Sequence, residues 1–260
     1  MEFNKNNKNI VDDALIYNTA ARIPVCFCVD VSSSMLRIFD TSNCVDTGRT
    51  EFRDGREWRI VEGGRTLLDD MVDGINKFYD VIRNDEMASL SCEIAIVTFS
   101  DFAQLQEDFS GIDRKNPMTV EQLNIGNNTN MVAGVEKALD TLEARKKDYQ
   151  NNGIEYYQPW LVLFTDGEPD SSENIQAIQN RCKELEANKK LVVFPLALTE
   201  DADKSALAGF SSKRKPISIK TDKIEQFFEW LSKSVSTVSQ SQVGETVRLD
   251  MTTVNDWGEI

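Results

Sequence analysis

No histidine occurs anywhere in the 260 residues. That absence removes His-based acid–base catalysis, the Ser-His-Asp triad and histidine metal sites together. Basic residues are also scarce. The 29 Lys and Arg stand against 43 Asp and Glu, a formal net charge of −14, which argues against unaided binding to nucleic acid or to an anionic membrane. Long apolar runs are missing as well: nothing approaches the ~20 residues of a membrane span, and Met1-Glu2-Phe3-Asn4-Lys5 opens no signal-peptide hydrophobic region. The five cysteines are an odd count at irregular spacing. Cys26 and Cys28, two apart on one predicted strand, do not suit a disulfide. All five are expected to be reduced, and the expected location is cytoplasmic.

What the chain does hold is a strand followed by oxygens. The run Ile23-Pro24-Val25-Cys26-Phe27-Cys28-Val29 reads as a strand buried on both faces, because only such a strand is apolar almost without interruption. Asp30-Val31-Ser32-Ser33-Ser34 follows at once, with Asp, Ser and Ser at alternate positions. Hard oxygens of this kind suit Mg²⁺, Mn²⁺ or Ca²⁺. A second buried strand ends Leu161-Val162-Leu163-Phe164-Thr165-Asp166-Gly167. Between the two lies the polar loop Gly126-Asn127-Asn128-Thr129-Asn130, which opens an amphipathic helix from Met131 to Lys146. Ligands of open α/β sheets sit outside the carboxyl ends of the strands, which is where Asp30 and Asp166 are expected.

The rest of the pattern predicts an α/β, doubly wound and mostly parallel sheet, with helices on both faces and one antiparallel edge strand. Helices are expected over Arg65–Asn84, Glu173–Ala187 and Lys223–Val238, and strands over Cys92–Phe99, Trp160–Thr165 and Lys190–Leu198. Ala103–Phe109 follows Cys92–Phe99 across the short turn Ser100-Asp101, which makes that pair the antiparallel one. Residues 1–20 are Asn-rich and polar, expected as a flexible arm with one helical turn near Val11–Tyr17. The single domain runs over 21–240 and a C-terminal tail over 241–260, acidic over Val247–Ile260, with Leu249, Met251 and Trp257 available to dock. Residues 37–64 interrupt the path from Ser34 to the first helix. Their Asp54-Gly55 signals a hairpin, and they carry Arg37, Arg49, Arg53, Arg56 and Arg59 with Phe52 and Trp58. Arg and Trp are enriched at interface hot spots.

In the order Asp-x-Ser-x-Ser, Thr, Asp, the residues Asp30, Ser32, Ser34, Thr129 and Asp166 match the metal-ion-dependent adhesion site (MIDAS) of the von Willebrand factor A (vWA) family, and the chain resembles that family over residues 22–238. The resemblance implies a divalent cation, Mg²⁺ or else Mn²⁺ or Ca²⁺, held at those five residues directly or through water. It also implies a partner protein that donates an Asp or Glu to the metal. The insert and general layout resemble bacterial TerY-like, tellurium-resistance vWA proteins. That likeness implies a cytosolic adaptor in stress response or phage defence, with phosphatase or kinase partners. Ser33 departs from the family, where many members have Gly.

Four other readings compete with this one. A Mg²⁺-dependent phosphotransferase of the haloacid-dehalogenase type needs a second carboxylate two residues after Asp30, where Ser32 stands. Serine-hydrolase and P-loop signatures are absent from the sequence. A metal-independent interaction scaffold is the serious rival. No catalytic turnover is expected, since no nucleophile sits beside an evident base.

Overall fold

The computed structural model describes residues 18–53, 56–170 and 174–259; the helical turn expected near Val11–Tyr17 and the Asp54-Gly55 turn lie outside them. In chain order the strands are β1 (Ile23–Asp30), β2 (Ile38–Asp40), β3 (Val45–Arg53), β4 (Arg56–Glu62), β5 (Arg65–Thr66), β6 (Cys92–Phe99), β7 (Ala103–Gly111), β8 (Trp160–Thr165), β9 (Val192–Ala197), β10 (Ile217–Ile219) and β11 (Gly258–Glu259). The helices are α1 (Leu67–Arg83), α2 (Glu86–Ser91), α3 (Met131–Asn151), α4 (Ile175–Ala187), α5 (Lys204–Ala208), α6 (Ile224–Ser239) and α7 (Val254–Trp257).

The apolar runs form the middle of the sheet, because a strand covered on both faces has no polar side to show water. β1, β6, β8 and β9 are buried at every position. The seven-stranded order is β11-β10-β9-β8-β1-β6-β7. β10 to β6 run parallel, with β1 in register against both β6 and β8. β7 is the expected antiparallel edge. The opposite edge carries a second antiparallel pair, β11 on β10, made by the segment read as a tail. There Trp257 is 2% exposed and packs its ring against Phe227 and Trp230.

Alternate side chains divide between two cores, as the two-residue period of a strand requires. Val25, Phe27 and Val29 face α1 and α6, whereas Cys26 and Cys28 face α3 and α4. The first core centres on Phe27, Phe78, Phe164, Phe227 and Phe228, with ring centroids 5.3–6.4 Å apart. α1 begins at a reciprocal cap. Asp69 N–H donates to the Thr66 hydroxyl at 3.1 Å, and Thr66 N–H to the Asp69 carboxylate at 2.8 Å. Gly74 lets α1 approach α6, for a Cβ there would lie 2.2 Å from Phe228 Cδ2. Since Phe228 is itself fully buried, Gly74→Ala should destabilise the protein by about 1–3 kcal/mol, read as a lowered denaturant midpoint with unchanged slope.

The insert behaves differently. β2 pairs with β5 at its base, and β3 pairs with β4 in a separate two-stranded sheet. No described side chain of β3 or β4 is buried, and Val45 and Phe52 are 67% and 74% exposed. The side chains of Arg53, Arg56, Trp58 and Val61 lie outside what is described. All five cysteines are free thiols, four of them buried. Among the described residues no helix is long and apolar enough to cross a membrane.

Candidate metal centre

The sheet changes its direction of winding at β1. From β1 the chain goes through α1 to β6 on one side, then returns through α3 to β8 on the other. A crevice opens at such a switch point, at the carboxyl ends of the strands. Asp30 closes β1 there, and Asp166 follows the last residue of β8.

The Asp30 carboxylate is completely buried, deeper than its place at a strand end suggested. Two neutral donors hold it: Ser32 N–H to Oδ1 at 2.8 Å and the Thr165 hydroxyl to Oδ2 at 2.7 Å. Hydroxyls continue the path. Ser32 Oγ lies 2.9 Å from Ser34 Oγ, and Ser34 Oγ donates to Asp166 Oδ1 at 2.8 Å. Asp30, Ser32, Ser34 and Asp166 are thus joined in one hydrogen-bonded string across β1 and β8. Ser33 opens a short 3₁₀ turn, Ser33–Leu36. Among the described non-glycine residues only Lys189 has a positive φ, so Ser33, where many members of the resembled family have Gly, imposes no backbone strain.

Thr129 reaches the same place from the other core. Gly126 N–H donates to Val31 O at 3.2 Å, which seats the loop on the end of β1. Asp101 pins the next turn by accepting from Asn128 N at 3.0 Å and Asn128 Nδ2 at 2.7 Å. Asn130 then caps α3 through Ala133 N–H at 2.9 Å. The result places Thr129 Oγ1 3.7 Å from where a Cβ on Gly167 would stand, beside Asp166. All five predicted residues therefore converge on one end of β1 and β8. The sequence reading missed Thr165, which orients Asp30, Asp101, which holds the loop, and Asp170, which accepts from Thr129 N–H at 3.4 Å. Thr165 was visible as the residue before Asp166; the other two depend on contacts 26 to 41 residues apart.

Burial raises the Asp30 pKa from 3.8 to about 6, against the lowering effect of its Ser32 and Thr165 hydrogen bonds. Burial also raises that of Asp166, partly offset by the Ser34 hydroxyl and the Arg37 charge. Arg37, at the start of the insert, is itself bound to Asp201 at 2.7 Å. A carboxyl whose folded pKa lies above its unfolded value stabilises the fold at low pH, and that stability is lost as pH rises through the folded value. The metal-free protein should therefore lose up to roughly 3 kcal/mol of stability from Asp30 between about pH 4 and pH 7. The difference between wild type and Asp30→Asn, measured by denaturation across that range, isolates this contribution.

A cation fits this donor set on one specific observation. Asp166 Oδ2 is a buried carboxylate oxygen with no hydrogen-bond partner among the described residues, and such a group is costly to bury unless something positive satisfies it. No group of three or more His, Cys, Asp or Glu that could hold a metal occurs among the described residues; here the ligands beyond two carboxylates would be hydroxyls, which hard cations accept.

No protein-family model and no curated protein matches the chain. Solved structures do. One is a von Willebrand factor type A protein from Catenulispora acidiphila, with a TM-score of 0.55 at 12% identity over 86% of this chain and 44% of that one. The fold is that of a von Willebrand factor type A domain. The PilB minor pilin of Streptococcus sanguinis matches at a TM-score of 0.55 and 14% identity, over 84% of this chain and 62% of its own. Proximal thread matrix protein 1 of the mussel byssus, in a structure with a zinc-occupied MIDAS motif, matches at a TM-score of 0.51 and 19% identity, over 84% and 47%. The chain thus spans between 44% and 62% of the length of these three proteins.

Proposed function

We propose that this chain is a divalent-metal-dependent protein–protein interaction module without catalytic turnover. Asp30, Ser32, Ser34, Thr129 and Asp166 would hold Mg²⁺, or Mn²⁺ or Ca²⁺, and a partner would contribute an Asp or Glu. The observation that carries this reading is the unpartnered, buried Asp166 Oδ2 at the end of a string of hydroxyls. When bound, the cation supplies positive charge to which an acidic side chain of a partner can attach, in a chain whose own charge of −14 would otherwise repel it. The protein's own residues do the rest. Thr165 and Ser32 N–H fix Asp30, Asp101 fixes the Thr129 loop, and Ser32 with Ser34 links the two carboxylates.

The β3–β4 hairpin supports an interaction role by a different argument. An isolated two-stranded ribbon is marginal in water, and this one exposes Val45 and Phe52. It leaves from Arg37 beside the metal residues and returns to α1, so it would add specificity around the metal anchor. Deleting Thr50–Val61 through a Gly-Ser bridge should change unfolding free energy by no more than ~0.5 kcal/mol, because no buried described side chain is removed. Partner affinity should fall by at least ~2 kcal/mol if the hairpin holds a hot spot. Unfolding of the deletion variant would make the hairpin structural instead.

The cellular setting belongs to the same proposal: a cytoplasmic adaptor of the TerY-like kind, in stress response or phage defence, with a phosphatase or kinase partner. Affinity capture from the native host in Mg²⁺, with elution by EDTA and an Asp166→Ala control, tests it. A partner held in Mg²⁺, released by EDTA and absent from the variant supports the module. A partner held equally in EDTA favours the metal-independent scaffold.

A further inference from the structure

A 550 Å³ cavity opens at the other end of the sheet, about a strand length from the metal residues, where β8 and β9 begin. Its size lies in the range of small-molecule sites. Trp160 and Tyr156 line it, and residues 243–247 with Leu249 form a further wall. In a chain with 14 more acids than bases, this cavity gathers Lys189, Lys190, Lys213 and Arg214 together with Lys146. Its acids are Glu143, which holds Lys146 at 2.8 Å, and Glu245, which accepts from Gln242 N–H at 3.1 Å.

The four remaining cations are weakly compensated. Lys189 and Lys190 make no side-chain ion pair or hydrogen bond among the described residues. Lys213 Nζ donates only to a main-chain oxygen, Glu186 O, at 2.8 Å. The Arg214 guanidinium is 3.6 Å from Glu186 and lies over the Phe194 ring, 4.9 Å from its centroid. Glu186 is meanwhile occupied by Ser211, Ser212 and Val193 donors. Lys189 holds φ +55°, a left-handed conformation unusual for lysine. Its N–H donates to Glu186 O at 3.1 Å and that of Lys190 to Leu185 O at 2.8 Å, so the turn that ends α4 presents both lysines at the cavity.

We propose that this cavity binds an oligophosphate-bearing small molecule, whose phosphates are neutralised by Lys189, Lys190, Lys213 and Arg214. Three lysines without a carboxylate partner among the described residues, beside an Arg214 held only at 3.6 Å from Glu186, match the multiple charges of a linked phosphate better than a single anion. Tyr156 adds aromatic surface on which a base can stack.

Calorimetric titration of the full chain in metal-free buffer at constant ionic strength tests this, with pyrophosphate, ATP and sulfate as the probes. Pyrophosphate and ATP should bind, sulfate should bind far more weakly, and Trp160 fluorescence should change with the first two. Lys189→Gly combined with Lys190→Ala should weaken binding at least roughly tenfold, without unfolding, since glycine suits the left-handed position. Asp30→Ala should leave it unchanged, which separates this site from the metal centre. ATP binding tighter than pyrophosphate, with the gain lost in Tyr156→Ser, identifies a nucleotide; equal binding identifies the phosphates alone as the recognised group. No binding at millimolar pyrophosphate and ATP, equal binding of sulfate, or unchanged affinity in the double variant would each overturn the proposal.

Discussion

Asp30→Asn should melt several degrees above the wild type in metal-free buffer at neutral pH, and should lose the stabilisation that Mg²⁺ gives the wild type. The two effects have one cause. Asp30 is completely buried and faces only neutral donors, so its charge is carried at a cost that raises its pKa to about 6. Asparagine keeps the shape and removes the charge, recovering up to roughly 3 kcal/mol. At about 2–4 °C per kcal/mol for a domain of this size, the gain is readily seen. In the wild type, Mg²⁺ should reverse the balance by stabilising the ionised carboxylates, with RT ln(1 + [L]/Kd) of added stability. Protons compete for the same oxygens, so this stabilisation should weaken as pH falls below about 6. Thermal unfolding of both proteins, with and without Mg²⁺, reads all of these. A variant that melts lower than wild type without metal would show that Asp30 serves the fold and not a ligand.

The second large effect lies at the far end of β6. Glu93 is buried within an otherwise apolar strand, where Arg22 Nε at 3.2 Å, Arg145 Nε at 2.7 Å and the Tyr149 hydroxyl at 2.5 Å all donate to it. Arg22 and Arg145 are themselves 1% and 8% exposed. Removing the carboxylate leaves two guanidinium groups in a low-dielectric interior, the arrangement that makes breaking a buried ion pair cost about 3–5 kcal/mol. Glu93→Ala should therefore lose a third or more of a typical domain's stability of about 5–15 kcal/mol. Glu93→Gln, which keeps an acceptor oxygen but no charge, should fall between the two. Chemical denaturation of both variants at neutral pH checks the order. Glu93→Ala within 1 kcal/mol of wild type would mean that water or rearrangement pays the charges.

These two carboxylates mark what the chain shows along its length and what it hides. Near-continuous apolar runs followed by Asp were enough to place β1, β8 and the two strand ends. The 3.6-residue stripe of Leu68, Met71, Val72, Ile75 and Tyr79 gave α1, because each of those signals is local. Convergence of Thr129 with Asp30 and Asp166 followed from motif order rather than from any contact visible in sequence. Glu93 gave no warning. Its partners are 71, 52 and 56 residues away, and a single charge within Cys92–Phe99 interrupts no period. The burial of Asp30 was hidden for the same reason, since Thr165 donates to it across 135 residues. The second antiparallel edge was equally hidden. Gly258 and Glu259 have no strand signature of their own, and pair with β10 because Val254 and Trp257 bury beside it.

The central claim is that five oxygen-bearing residues from three segments form one divalent-cation site. Titration of Mn²⁺ into metal-free protein, followed by electron paramagnetic resonance at neutral pH, reads that most directly, with wild type, Thr129→Val and Asp166→Ala compared. The account predicts one Mn²⁺ per wild-type chain, displaced by Mg²⁺, weaker binding in Thr129→Val and none in Asp166→Ala. Wild-type protein that leaves Mn²⁺ free in solution, or an Asp166→Ala variant that binds it as tightly, would contradict it.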